Sequence, residues 1–292
     1  MRIGRSFIVG LVLLAFIASF GDAAASEDKA IRVSINSDNQ MRVPLTINGQ
    51  TSFGIVDTGA TFPLIDMALI PEPELLTEQG TVVVQGLSGT VDYDVATVAS
   101  IQIGENRMEA VRAGVNDETR FPGLLNVIPA DAFPHRVIDF DFQDGVISLY
   151  DDRPIKDHRD YRTKVSYEEI QRLPFIQVWI NNTPGLALID TGSNSTFINS
   201  AFADKAKTRN RADLVKDLFG VDAEATQARI AQIRRLRVGG HRVSKLNVLV
   251  ADPDLFDTLG VAERPVMIIG LDLLKHFRVQ IDRQDRHIYL GR

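Results

Sequence analysis

The chain has 292 residues, 45% of them hydrophobic, with 21 glycines and 12 prolines, which is enough for one large domain or two smaller ones with real cores. Its formal charge of −6 argues against a nucleic-acid or anionic-membrane partner, since either calls for a basic face. The absence of cysteine excludes disulfides, thiolate metal sites and a cysteine nucleophile.

Arg2 and Arg5 precede a mostly apolar run from Phe7 to Phe20, and Ala23-Ala24-Ala25 then leads to Ser26. A basic start, a short apolar stretch and small residues are the parts of a secretory signal, so residues 1–25 are read as a signal peptide cleaved before Ser26. The run of 14 residues falls short of the roughly 20 a spanning helix needs. A membrane is therefore met only if this segment stays uncleaved. The expectation is an exported protein, periplasmic or extracellular.

The remainder is written twice. PLTINGQTSFGIVDTGATFPLID from Pro44 matches PFIQVWINNTPGLALIDTGSNSTFIN from Pro174, each reading strand, turn, strand, Asp-Thr-Gly and a short apolar run. Asn48-Gly49 and Asn181-Asn182-Thr183-Pro184-Gly185 are the hairpin turns. Downstream, residues 84–104 face 218–240, residues 108–117 face 243–252, and residues 127–149 face 268–290. The offset grows only from 133 to 141, as loop insertions in a duplicated unit produce.

Most segments alternate or run apolar over short stretches rich in Val, Ile and Leu, and read as strands. Helix is expected over 201–218, where Phe202, Ala206, Ala212, Leu214 and Leu218 recur near helical spacing, with shorter turns near 67–78 and 271–276. The charged stretch DDRPIKDHRDY has no apolar period and reads as linker. The expected architecture is all-β: a lobe over 31–150, a linker over 151–164 and a second lobe over 165–292, with a cleft between the lobes. Trp179 in its apolar strand reads as core, and Arg229, Arg234, Arg235 and Arg237 as a solvated strand face.

Each Asp-Thr-Gly follows an apolar strand, Phe53-Gly54-Ile55-Val56 in one copy and Leu186-Ala187-Leu188-Ile189 in the other. A strand that buries its side chains and then delivers a carboxylate needs a reason, because a buried charge is costly. Two carboxyls held ~3 Å apart cannot both ionise, so they share a proton and together supply an acid and a base. Asp57 and Asp190 are the candidates. Gly59 and Gly192 lack a Cβ and allow two such loops to approach, and Thr58 and Thr191 carry hydroxyls able to tie one loop to the other.

These residues resemble the pepsin and retropepsin superfamily of aspartic peptidases, most closely its single-chain, tandem retropepsin-like exported bacterial members. The resemblance covers nearly the whole chain after the signal segment. It implies catalysis by Asp57 and Asp190, loop support by Thr58, Gly59, Thr191, Gly192 and Ser193, and a flap over substrate with Gly86, Leu87, Ser88 and Gly89 at its tip. It also implies an aspartic endopeptidase with no cofactor and no metal, acting as a monomer on an extended polypeptide. The five histidines make no close metal-like pair. Ile268-Ile269-Gly270 looks like the family's hydrophobic-hydrophobic-glycine element beneath the catalytic loop.

Two departures stand out. Pro129 replaces the glycine of that element in lobe one, where proline lacks both a donor and glycine's backbone freedom. Ala60 follows the first triplet and Ser193 the second. In pepsin-like members a hydroxyl there bonds the outer carboxylate oxygen, which implies that Asp190 holds the charge and Asp57 the proton. Pro129 is also the feature favouring the alternatives, a non-catalytic peptide-binding module or an envelope scaffold; the two intact triplets disfavour them.

Overall fold

A computed structural model describes residues 30–71, 80–117, 126–155, 163–219 and 225–291. The signal-peptide reading of 1–25 lies outside these residues, as do 72–78 of the helical turn expected near 67–78 and 156–162 of the expected linker.

The N-terminal half contains β1 (Ile31–Arg32), β2 (Ser34–Ile35), β3 (Met41–Ile47), β4 (Gln50–Asp57), β5 (Leu64–Asp66), β6 (Thr81–Gln85), β7 (Thr90–Ile103), β8 (Asn106–Asn116), β9 (Val127–Pro129), β10 (Val137–Asp141) and β11 (Val146–Tyr150). The C-terminal half contains β12 (Thr163–Ile170), β13 (Leu173–Ile180), β14 (Thr183–Ile189), β15 (Phe197–Ile198), α1 (Ser200–Lys205), β16 (Arg209–Phe219), β17 (Ala225–Val238) and β18 (His241–Val250). It ends with α2 (Asp254–Thr258), β19 (Val266–Ile269), α3 (Leu271–Leu274), β20 (Arg278–Asp282) and β21 (His287–Gly291).

Strand order repeats between the halves. Lobe one runs β3-β4-β9-β5-β8-β7-β6 and lobe two β13-β14-β19-β15-β18-β17-β16, with the added pairings β3–β7 and β13–β17 in matching places. The local causes repeat too. In β3, Met41, Val43, Leu45 and Ile47 alternate inward. The hairpins β3–β4 and β13–β14 turn through residues with positive φ, Asn48 (51°) and Gly49 (81°) in one, Asn181 (49°) and Asn182 (76°) in the other. Both asparagines do more than turn the chain. Asn48 Oδ1 accepts from Ala99 N at 3.0 Å and Asn181 Oδ1 from Arg234 N at 2.9 Å, pinning each turn to the long strand beside it.

Between the lobes, β10 pairs antiparallel with β20, so β1-β11-β10-β20-β21-β12 forms one continuous floor. Buried carboxylates sit in it with bidentate partners: Asp139 takes Arg278 Nε and Nη2 at 2.9 and 2.7 Å, and Asp282 takes Arg136 Nε and Nη2 at 3.0 and 2.8 Å. Such forks keep buried charges satisfied while fixing the register across the lobe boundary.

The long helix expected over 201–218 is absent. Helix α1 stops at Lys205, Lys207 takes a left-handed φ of 49°, and the chain returns as β16, which pairs with β17. Good helix formers lose here to sheet pairing, which the local pattern does not report. The other two expected turns are short, a 3-10 turn at Met67–Leu69 and α3. Strand β12 begins at Thr163, inside the stretch read as linker. Trp179 is only partly buried, with the Arg237 guanidinium 3.7 Å from its ring centroid.

Candidate active site

Strand β4 delivers Asp57 as its last residue, and Asp190 follows directly after β14. Beneath each lies a parallel strand: Val56 pairs with Ile128 in lobe one and Ile189 with Ile269 in lobe two. The two triplets meet at the lobe boundary. Thr58 N donates to Thr191 Oγ1 and Thr191 N to Thr58 Oγ1, both at 3.0 Å. Each hydroxyl then donates across the boundary, Thr58 Oγ1 to Ile189 O at 2.6 Å and Thr191 Oγ1 to Val56 O at 2.7 Å. Thr58 and Thr191 are buried, so these bonds hold without competition from water.

The glycines permit that approach. A Cβ on Gly59 would lie 2.7 Å from Asp190 Cγ, and one on Gly192 would collide with the Asp57 carboxyl. Asp57 and Asp190 thus come within hydrogen-bond reach of each other. Asp57 Oδ1 accepts from Gly59 N at 2.6 Å; Asp190 Oδ1 accepts from Gly192 N at 2.9 Å and Ser193 N at 3.0 Å. Burial pushes Asp57 well above the ordinary carboxyl range, and the neighbouring charge of Asp190 adds to the push. Burial raises Asp190 too, opposed by the amides of Ser193 and Gly192.

Ser193 differs from expectation. Its hydroxyl does not turn to Asp190; Oγ donates to Ser195 O at 2.9 Å, and the backbone N–H of Ser193 makes the bond to the carboxylate. Side-chain identity after the triplet is therefore not what distinguishes the two aspartates.

Pro129 is accommodated by a second proline. In lobe two Gly270 N donates to Thr196 Oγ1 at 3.1 Å, and a Cβ on Gly270 would lie 2.7 Å from the Ser195 carbonyl oxygen. In lobe one the positions of Thr196 and Gly270 are held by Pro63 and Pro129, so donor and acceptor vanish together. Pro129 brings no N–H that would need an acceptor there, and β9 keeps its place with Pro129 opposite Asp57. Comparing the residues six beyond each catalytic-type aspartate reveals this pairing in the sequence.

Hairpin β6–β7 carries Gly86, Leu87, Ser88 and Gly89 at its tip, closed by Gly86 N donating to Gly89 O at 2.8 Å. The tip reaches lobe two. Leu87 O accepts from Leu255 N at 3.3 Å, Ser88 Oγ lies 2.5 Å from Thr226 Oγ1, and Thr258 Oγ1 donates to Gln85 Oε1 at 2.9 Å. The Leu87 side chain packs against the lobe-two core. Leu255, Thr226 and Thr258 were not singled out by sequence, because nothing local marks them as partners of a strand tip 138 to 173 residues earlier.

A family model described as aspartyl protease matches residues 43–127 and 176–273, one segment in each lobe and together more than half the chain. The chain belongs to the aspartyl protease family. A search of curated proteins gives no significant match. The two matched segments coincide with the two copies of the strand order, so the architecture is that of a two-lobed, retropepsin-like aspartyl protease.

Beside Asp57 a cavity of about 270 Å³ opens at the lobe boundary. Asp57 and Asp131 line it from lobe one, and Tyr167, Glu169, Arg172 and Arg283 from lobe two.

Proposed function

We propose that this aspartyl protease hydrolyses peptide bonds with a water held between Asp57 and Asp190. The observation that carries the reading is the crossed hydrogen bonding of Thr58 and Thr191, which holds two carboxyls from different lobes within reach of one proton. Its effect is preorganisation, as both groups are in place before substrate arrives.

With one proton on the pair, Asp57 is its holder and Asp190 the anion; the two amides on Asp190 Oδ1, against one on Asp57 Oδ1, support that division. Asp190 takes a proton from the water as its oxygen attacks the peptide carbonyl carbon. Asp57 gives its proton to the carbonyl oxygen, yielding a neutral gem-diol. On collapse Asp190 gives its proton to the leaving nitrogen, Asp57 takes one from a gem-diol hydroxyl, the C–N bond breaks, and the pair returns to one shared proton. This is the general behaviour of aspartic proteases.

The substrate is an extended polypeptide lying in the interlobe cleft, paired along its backbone as an added strand, with Gly86–Gly89 as the flap over it. The protein acts after export, with residues 1–25 removed. Purified protein lacking residues 1–25 is incubated with a peptide library, alongside Asp57→Ala and Asp190→Ala. Cleavage by the parent and by neither variant supports the assignment; turnover surviving both substitutions would eliminate it.

A further inference from the structure

Three arginines near the lobe boundary use their guanidinium groups differently. Arg136 and Arg278 each turn the Nε–Nη2 edge to a buried carboxylate, Asp282 and Asp139. Arg283 instead sets Nη1 on the carbonyls of Phe133 and His135 and Nη2 on that of Ala130. Among the described residues its Nε–H makes no hydrogen bond, and no carboxylate lies within ion-pair distance of it. Of the Nε–Nη2 edge that its two counterparts give to carboxylates, Nη2 is taken by the Ala130 carbonyl and Nε–H is left. Arg283 lines the cavity beside Asp57.

The anions of that cavity are already matched. Asp131 holds Arg172 at 2.5 Å, and Glu169 faces Arg286 at 3.5 Å. Asp57, as the proton holder, adds no charge. Among the described residues Arg283 is a partly buried cation with no ion-pair partner; burial draws its pKa below the ordinary guanidinium value, and the more distant charge of Asp131 opposes this without cancelling it. Such a group is stabilised by a carboxylate that accepts from its Nε–H. Tyr167 lines the same cavity; burial and then the charge of Glu169 push its hydroxyl up to about 12, so it keeps its proton and remains a donor.

We propose that this cavity is a substrate subsite for a carboxylate, anchored by the Nε–H of Arg283 with the Tyr167 hydroxyl as a second donor. The inference rests on the peptidase reading and adds a substrate class to it: peptides with Asp or Glu, or a chain-terminal carboxylate, at one position near the scissile bond. Arg283 is then a specificity-determining residue, distinct from the aspartates that do the chemistry.

The test uses peptides that the wild-type protein cleaves, substituted in turn at each flanking position with Glu or with Gln. At one position kcat/KM for Glu should exceed that for Gln roughly tenfold, the worth of a charge-assisted bond at a partly open site. A parallel series ending at that position as free acid or as amide separates a side-chain carboxylate from a chain terminus. Arg283→Gln should erase the preference while still cleaving the Gln peptide. If that variant fails to fold, having lost its hold on three carbonyls, Tyr167→Phe should narrow the preference with KM rising more than kcat falls. Equal cleavage of Glu and Gln peptides at every position, and of acid and amide ends, overturns the subsite and leaves the peptidase intact. Cleavage of no peptide at all overturns the reading beneath both.

Discussion

Gly192 stands directly against Asp57, and Gly59 against Asp190, so each half of the molecule leaves out the side chain that would keep the other half's carboxyl away. The obstacle to a Cβ at Gly192 is a carboxyl fixed by Gly59 N, not the loose end of a flexible chain. Gly192→Ala should therefore lower stability by about 2 kcal/mol through overpacking and cut kcat/KM at least ~100-fold by displacing Asp57. Thermal melts and peptide kinetics on the same preparation measure both. A variant with unchanged Tm and rate would mean the two loops are not in contact.

Ser193→Ala tests which part of Ser193 matters. Its amide bonds Asp190 and its hydroxyl bonds Ser195 O, so the substitution should leave kcat/KM within about twofold and the acidic limb of the pH–rate profile in place. A shifted acidic limb would show that the hydroxyl reaches Asp190 after all.

The raised pKa of Asp57 gives a stability signature with a definite sign. An unfolded aspartate titrates near about 3.9, whereas the folded Asp57 holds its proton to higher pH. The folded state binds more protons in that interval, so the stability linked to Asp57 is full below the unfolded pKa and is lost as pH rises through the folded one. Asp57→Asn carries no charge and escapes that loss. Its Tm should gain on wild type as pH rises above about 4 and show no such gain below that point. A constant difference across the range would contradict the shift.

Pro63 and Pro129 should behave as a coupled pair. Pro129→Gly alone introduces an N–H facing Pro63, where lobe two has a threonine hydroxyl, and should cost about 1–2 kcal/mol. Adding Pro63→Thr supplies the acceptor and should return about 1 kcal/mol in a double-mutant cycle read by denaturant unfolding. Strict additivity would show that the two prolines do not compensate each other.

Much of this was written in the sequence, because the duplicated unit repeats its alternation, its turns and its Asp-Thr-Gly at nearly constant spacing. Asp57 and Asp190 could be named from that repetition alone. What escaped was whatever depends on a partner far along the chain. Residues 209–219 have the composition of a helix and become β16 only because β17 lies beside them. Nothing local marks Asp139 and Asp282 as buried; the pairing of β10 with β20 encloses both beside their arginines. The role of Ser193 was misread for another reason: a side chain invites a hydrogen bond on paper, while its backbone amide, common to every residue but proline, carries no sequence signal.

The most direct test of the proton-sharing pair is the rate of peptide cleavage against pH for wild type, Asp57→Asn and Asp190→Asn. A bell-shaped wild-type profile is expected, its alkaline limb lying above the ordinary aspartate range, with both variants reduced at least ~1000-fold at every pH. A wild-type rate that is flat from acid to neutral pH, or either variant retaining the wild-type profile, would contradict it.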